Sequence, residues 1–123
     1  MCKTILVVDD NQLYVELVKD VLETQQHRVM VASNGEEALA LLTKHHFDVV
    51  VSDIEMPGMN GIAFHQKLTE NKTFSSIPFV FLSATDDPEK LRHVQGHPQV
   101  TLLRKSDTIE TLLTTISDLA RLT

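Results

Sequence analysis

"VVVSDIEMPGMNG", Val49 to Gly61, runs from apolar residues to a carboxylate and then into two turns. Val49, Val50 and Val51, with Ser52, read as a strand buried on both faces, because β-branched residues without polar alternation suit the interior of a parallel sheet. Asp53 follows. Pro57-Gly58 and Asn60-Gly61 are turn chemistry. A core strand that closes on a charge and opens into turns delivers that charge to the edge of a rigid platform.

Four more apolar runs share the pattern, and helical spacing separates them. "TILVV" (4–8), "RVMVAS" (28–33), "DVVVS" (48–52), "PFVFLS" (78–83) and "VTLLR" (100–104) are the strand candidates. Residues 11–25 carry Leu13, Leu17, Val18, Val21 and Leu22 at helical spacing. The next helix opens at Ser33 or Asn34, with Glu36 or Glu37 three residues on as capping partner, and His45-His46 at its end favour its dipole. A third runs from about 61 to 71 with Ile62, Phe64 and Leu68. Asp87-Pro88 reads as an N-cap followed by proline at the first helical position, and "QGHP" (95–98) stops that short helix. The last runs from about 108 to 122, with Ile109, Leu112, Leu113, Ile116, Leu119 and Ala120 on one face.

Strict alternation predicts an α/β fold of the flavodoxin-like kind. It is a doubly wound, five-stranded parallel sheet of order 2-1-3-4-5 with helices on both faces. The 123 residues fit one domain, 1–123. No apolar run reaches the roughly 20 residues a membrane span needs, and the N-terminus lacks signal-peptide character. The single cysteine, Cys2, forms no internal disulfide and suits a reducing cytoplasm. A net charge of −6 without a basic block argues against direct binding of nucleic acid or anionic membrane. Neither a P-loop nor a dinucleotide fingerprint is present.

In such sheets ligands sit beyond the carboxyl ends of the strands, where strands 1 and 3 diverge. Asp9-Asp10 end strand 1, Asp53 ends strand 3, Ser83 ends strand 4 and Lys105 follows strand 5. A plainer reading makes Asp9-Asp10 a cap for the following helix. Crowded carboxylates repel, and Mg²⁺, for which Mn²⁺ can substitute, would relieve this. A carboxylate can also serve as nucleophile and form an aspartyl-phosphate. Lys105 and the Ser83 hydroxyl would then bind phosphoryl oxygens. His93 and His97, four apart but separated by Gly96, offer no third ligand for a metal.

"ILVVDDN", "VVVSDIEMPGMNG", "FVFLSA" and "LLRK", in this order across nearly the whole chain, resemble the receiver domains of bacterial two-component response regulators. The resemblance implies Asp53 as phosphoacceptor, Asp10 as direct metal ligand and Asp9 as a ligand largely through water. It adds the backbone carbonyl of Glu55 as a further ligand, with Lys105 and Ser83 on the phosphoryl group. It implies a cytoplasmic switch that catalyses only its own phosphorylation and dephosphorylation. The donor is a histidine kinase or histidine phosphotransfer protein, and the output is a downstream effector protein or an effector domain elsewhere in a longer chain. Two alternatives are a Mg²⁺-dependent aspartyl-phosphate phosphohydrolase, with Glu55 mimicking a general acid, and an unphosphorylated interaction module.

Three departures stand out. Ser106 replaces the usual cis proline after the lysine, so a trans bond or an unusual loop is expected. Leu102 replaces the usual switch aromatic, and "HPQ" replaces the usual Gly-Ala before strand 5. Ser83 and the 83–97 segment are therefore expected to carry the response, more than strand 5.

Overall fold

A computed structural model describes residues 3–56, 58–83, 92, 100–105 and 109–121. Five strands form one parallel sheet: β1 (Thr4–Val8), β2 (Arg28–Ala32), β3 (Val49–Asp53), β4 (Phe79–Ser83) and β5 (Val100–Arg104). The order is β2-β1-β3-β4-β5, as the alternation predicts. Four helices are described: α1 (Gln12–Thr24), α2 (Gly35–Lys44), α3 (Gly61–Glu70) and α4 (Ile109–Arg121). The predicted Asp87-Pro88 helix, its "QGHP" stop, His93, His97 and the Lys105–Ser106 peptide bond lie outside the described residues.

The three central strands are apolar on both faces because helices cover both. Ile5, Val7, Val49, Val51, Val80 and Leu82 pack under α1 and α4. Leu6, Val8, Val50, Phe79 and Phe81 pack under α2 and α3. Each fully buried Val, Leu or Ile contributes roughly 1.5–3 kcal/mol, so these strands anchor the molecule.

Strand 3 spans Val49–Asp53, one residue later than the predicted 48–52. Asp48 instead locks the foot of β1: its N–H donates to the Thr4 carbonyl at 2.7 Å, and its Oδ2 accepts from the Thr4 N–H at 2.9 Å. Asp53 thereby becomes the last strand residue, in register with Leu82 of β4.

Two helix readings need correction. The buried face of α1 is Val15, Val18 and Leu22, whereas Leu13 is 86% and Leu17 49% exposed. Docking on the sheet selects the narrower stripe that the apolar periodicity alone left too wide. On α2 the helix ends at Lys44 with His45 as its C-cap, as expected, but His46 lies beside Asp48, Nε2 to Oδ1 3.3 Å, so its partner is a side chain beyond the helix end. The start of α2 follows the capping expectation in a variant form. Asn34 Oδ1 accepts from the Glu37 N–H at 2.8 Å, while Glu37 Oε2 accepts from the Ser33 hydroxyl at 2.9 Å.

Among the described residues no helix is long and apolar enough to cross a membrane.

Candidate functional site

The carboxyl edge of β1 and β3 carries the chemistry. Asp9 follows β1 and is 4% exposed; Asp53 closes β3 and is 7% exposed; Asp10 is exposed. Each of the three offers a carboxylate oxygen, and these oxygens all lie within 4.8 Å of one another.

The helix cap is a separate residue. Asn11 caps α1, its Oδ1 accepting from the Tyr14 N–H at 3.2 Å. Asp9 only supports the turn, with Oδ1 accepting from the Asn11 N–H at 2.9 Å. The acid pair is thus not needed as the N-cap, and Asp9 Oδ2 remains directed elsewhere.

Lys105, following β5, enters this cluster. Its Nζ lies 2.7 Å from Asp9 Oδ2 and 3.3 Å from Asp53 Oδ2. Asp9 Oδ2 is buried, and the Lys105 ammonium is the charge that faces it. Asp53 Oδ1 accepts from the Ile54 N–H at 2.8 Å. Burial, and then the Asp9 charge, push the Asp53 carboxyl above its usual range; Lys105 and the Ile54 N–H counter this without cancelling it. For Lys105 burial works against the ammonium, but the contacts with Asp9 and Asp53 outweigh it and its pKa is raised.

The turns after Asp53 have a steric purpose. Gly58 adopts a φ of 77°, a conformation suited to glycine. Asn60 caps α3 through its Oδ1, which accepts from the Ala63 N–H at 2.9 Å. The Gly61 N–H donates to the Ile54 carbonyl at 2.8 Å. A Cβ on Gly61 would overlap the Asp53 carbonyl oxygen and come within 3.0 Å of Ile54 Cα. Only glycine lets α3 start this close to the strand end. Ser52, fully buried, donates its hydroxyl to the same Asp53 carbonyl at 2.9 Å.

Ser83 closes β4 and is 2% exposed. It is in register with Arg104, and its carbonyl accepts from the Lys105 N–H at 2.9 Å. The Glu55 side chain is exposed and is not among the three clustered carboxylates. Leu102 is half-buried and pairs with Phe81.

Three residues at the site escaped the sequence reading. Asn11 and Ser52 carried a signal, as a cap-forming residue before a helix and a hydroxyl inside an apolar strand. Tyr14 carried a weaker one, its position one turn after Asp10. Its ring centroid lies 4.8 Å from Lys105 Nζ.

Hard oxygen donors at this spacing fit a small divalent cation. That Asp9 and Asp53 already draw one cationic group, the Lys105 ammonium, into the cluster supports the fit.

Comparison with known proteins agrees with this geometry. The polar-differentiation response regulator DivK of Brucella ovis is 30% identical over 95 residues, 75% of this chain and 77% of that protein. The chemotaxis response regulator CheY4 of Vibrio cholerae superposes with a TM-score of 0.87 at 30% identity, covering 97% of this chain and 99% of that one. Response regulator TrrA of Thermotoga maritima, in complex with Mg²⁺-BeF, superposes with a TM-score of 0.81 at 29% identity, covering 95% and 98%. A longer curated relative matches over 84 residues, and the chain spans 38% of its length. Residues 5–117 match the family described as the response regulator receiver domain. The chain belongs to that family, the phosphorylation-dependent switch module of two-component signalling.

Proposed function

We propose that residues 1–123 act as one receiver unit that takes a phosphoryl group from a phosphohistidine onto Asp53. The observation that carries this reading is the position of Asp53: nearly buried, within 4.8 Å of two further carboxylates and 3.3 Å from an ammonium. A carboxylate oxygen of Asp53 attacks phosphorus. The O–P bond forms as the donor's N–P bond breaks, and the electron pair leaves with the imidazole.

Asp10 and Asp53 would ligate Mg²⁺ directly, Asp9 largely through water and Glu55 through its carbonyl; Mn²⁺ can substitute. When bound, the metal offsets charge on the transferred group. That a neighbour in the family, from Thermotoga maritima, is a complex with Mg²⁺-BeF supports a divalent cation here. Lys105 neutralises a second phosphoryl oxygen and the Ser83 hydroxyl a third. Catalysis is confined to the chain's own acyl phosphate, and its product is a change of surface. The donor is a histidine kinase or histidine phosphotransfer protein in the cytoplasm, and the output is a downstream effector.

Incubation with phosphoramidate and Mg²⁺, followed by mass spectrometry, tests the reading. One phosphoryl group on Asp53, absent without metal and absent in Asp53→Asn, is expected. Equal labelling of Asp53→Asn would overturn it.

A further inference from the structure

Lysine carries a compact charge on a flexible stem, so an ammonium that must meet a moving target needs a stop. Lys105 has two such stops in its carboxylate partners. Both belong to the groups that a cation and a phosphoryl group would occupy. A cation drawn to Asp9 competes with the ammonium 2.7 Å from Asp9 Oδ2. Among the described residues a further contact is the Tyr14 ring, 4.8 Å away. A ring face attracts an ammonium electrostatically at this range.

Tyr14 is itself well fixed. It lies in the first turn of α1, where Asn11 Oδ1 holds its N–H. The ring is half-buried and packs against the apolar layer beneath α1. Its hydroxyl stays protonated at neutral pH: burial raises its pKa and so do the Asp9 and Asp53 charges, against a lowering by Lys105.

We propose that Tyr14 is a positioning residue for Lys105, its ring face retaining the ammonium beside Asp53 when Asp9 is claimed by the cation. The inference rests on Lys105 acting on a phosphoryl group at Asp53.

The chain has one tyrosine and no tryptophan, so the ring is also its own reporter. Two measurements test the proposal. The first compares the rate of phosphorylation by phosphoramidate with Mg²⁺ in wild type, Tyr14→Leu, Tyr14→Phe and Lys105→Ala. Leucine is a good helix former, so α1 should persist. Tyr14→Leu is expected to slow the reaction about threefold to tenfold, the worth of one cation–π contact. Tyr14→Phe is expected to restore it. A Tyr14→Leu variant at the wild-type rate, or a Tyr14→Phe variant as slow as Tyr14→Leu, overturns the proposal while leaving the role of Lys105 intact. A Lys105→Ala variant at the wild-type rate overturns the role of Lys105 itself. The second measurement follows tyrosine emission during titration with Mg²⁺. A change is expected in the wild type and a clearly smaller one in Lys105→Ala. An identical change in both would mean that the ring does not sense the ammonium.

Discussion

Lys105 stands 2.7 Å from Asp9 Oδ2 and occupies the charge position that a cation would take in the same cluster. A cation drawn to this cluster would compete with the ammonium for the Asp9 charge. Removing the ammonium should raise metal affinity while harming chemistry. Lys105→Ala is expected to bind Mg²⁺ at least about fivefold more tightly, since a nearby like charge costs ~1 kcal/mol even in water. Its phosphorylation should fall by about a hundredfold or more. Calorimetric titration and phosphoramidate kinetics check the two halves; weaker Mg²⁺ binding in the variant would contradict the competition.

Among the acids, Asp10 is the exposed one, and the other two are held by backbone amides. Asp10→Ala is expected to lose more Mg²⁺ affinity than Asp9→Ala, because a directly bound ligand removes charge and coordination together. Parallel titrations decide it.

The folded protein holds the Asp53 proton more tightly than the unfolded chain, because burial and Asp9 raise its pKa. Stability is thus lost as pH rises from the ordinary value of 3.8 through the raised one, and the loss is complete above it. Asparagine carries no charge to penalise. Asp53→Asn is expected to melt higher than wild type near neutrality without metal, and the advantage should vanish in acid. Thermal melts in chelator across that range test the sign.

Gly61 faces the carbonyl of Asp53 with no room for a side chain. Gly61→Ala is expected to cost about 2 kcal/mol or more, as overpacking does, and to shift Asp53 enough to impair phosphorylation. Urea unfolding together with labelling by phosphoramidate measures both effects.

Ser83 and Leu102 separate two routes for the signal. Ser83 ends β4 with a hydroxyl that can donate a hydrogen bond, whereas Leu102 offers apolar bulk without a polar tip. Beryllofluoride with Mg²⁺ is expected to alter amide exchange in residues 83–97 of the wild type more than in β5. The change should shrink in Ser83→Ala and survive Leu102→Ala. Loss in Leu102→Ala would assign the route to β5.

The strand order was legible because five β-branched or aromatic runs alternate with helical spacing, and few topologies satisfy that pattern. The positions of Asp9, Asp10, Asp53, Ser83 and Lys105 were legible for the same reason: each ends or follows a strand, and parallel strands deliver their ends to one edge. The α1 face was not. Leu13 and Leu17 share the helical period with Val18 and Leu22, and only the angle at which the helix meets the sheet distinguishes them. Tyr14 was hidden because its contact partner, Lys105, lies 91 positions away in the chain, beyond the reach of any local pattern. The Gly61 constraint was visible only as turn chemistry, since its true cause is the Asp53 carbonyl opposite.

The hydrogen bond from the Lys105 N–H to the Ser83 carbonyl joins two strands at their tips. It works as a yoke. A displacement of one strand tip is therefore passed through the backbone to the other, and the residues that carry the Ser83 hydroxyl and the Lys105 ammonium cannot shift independently.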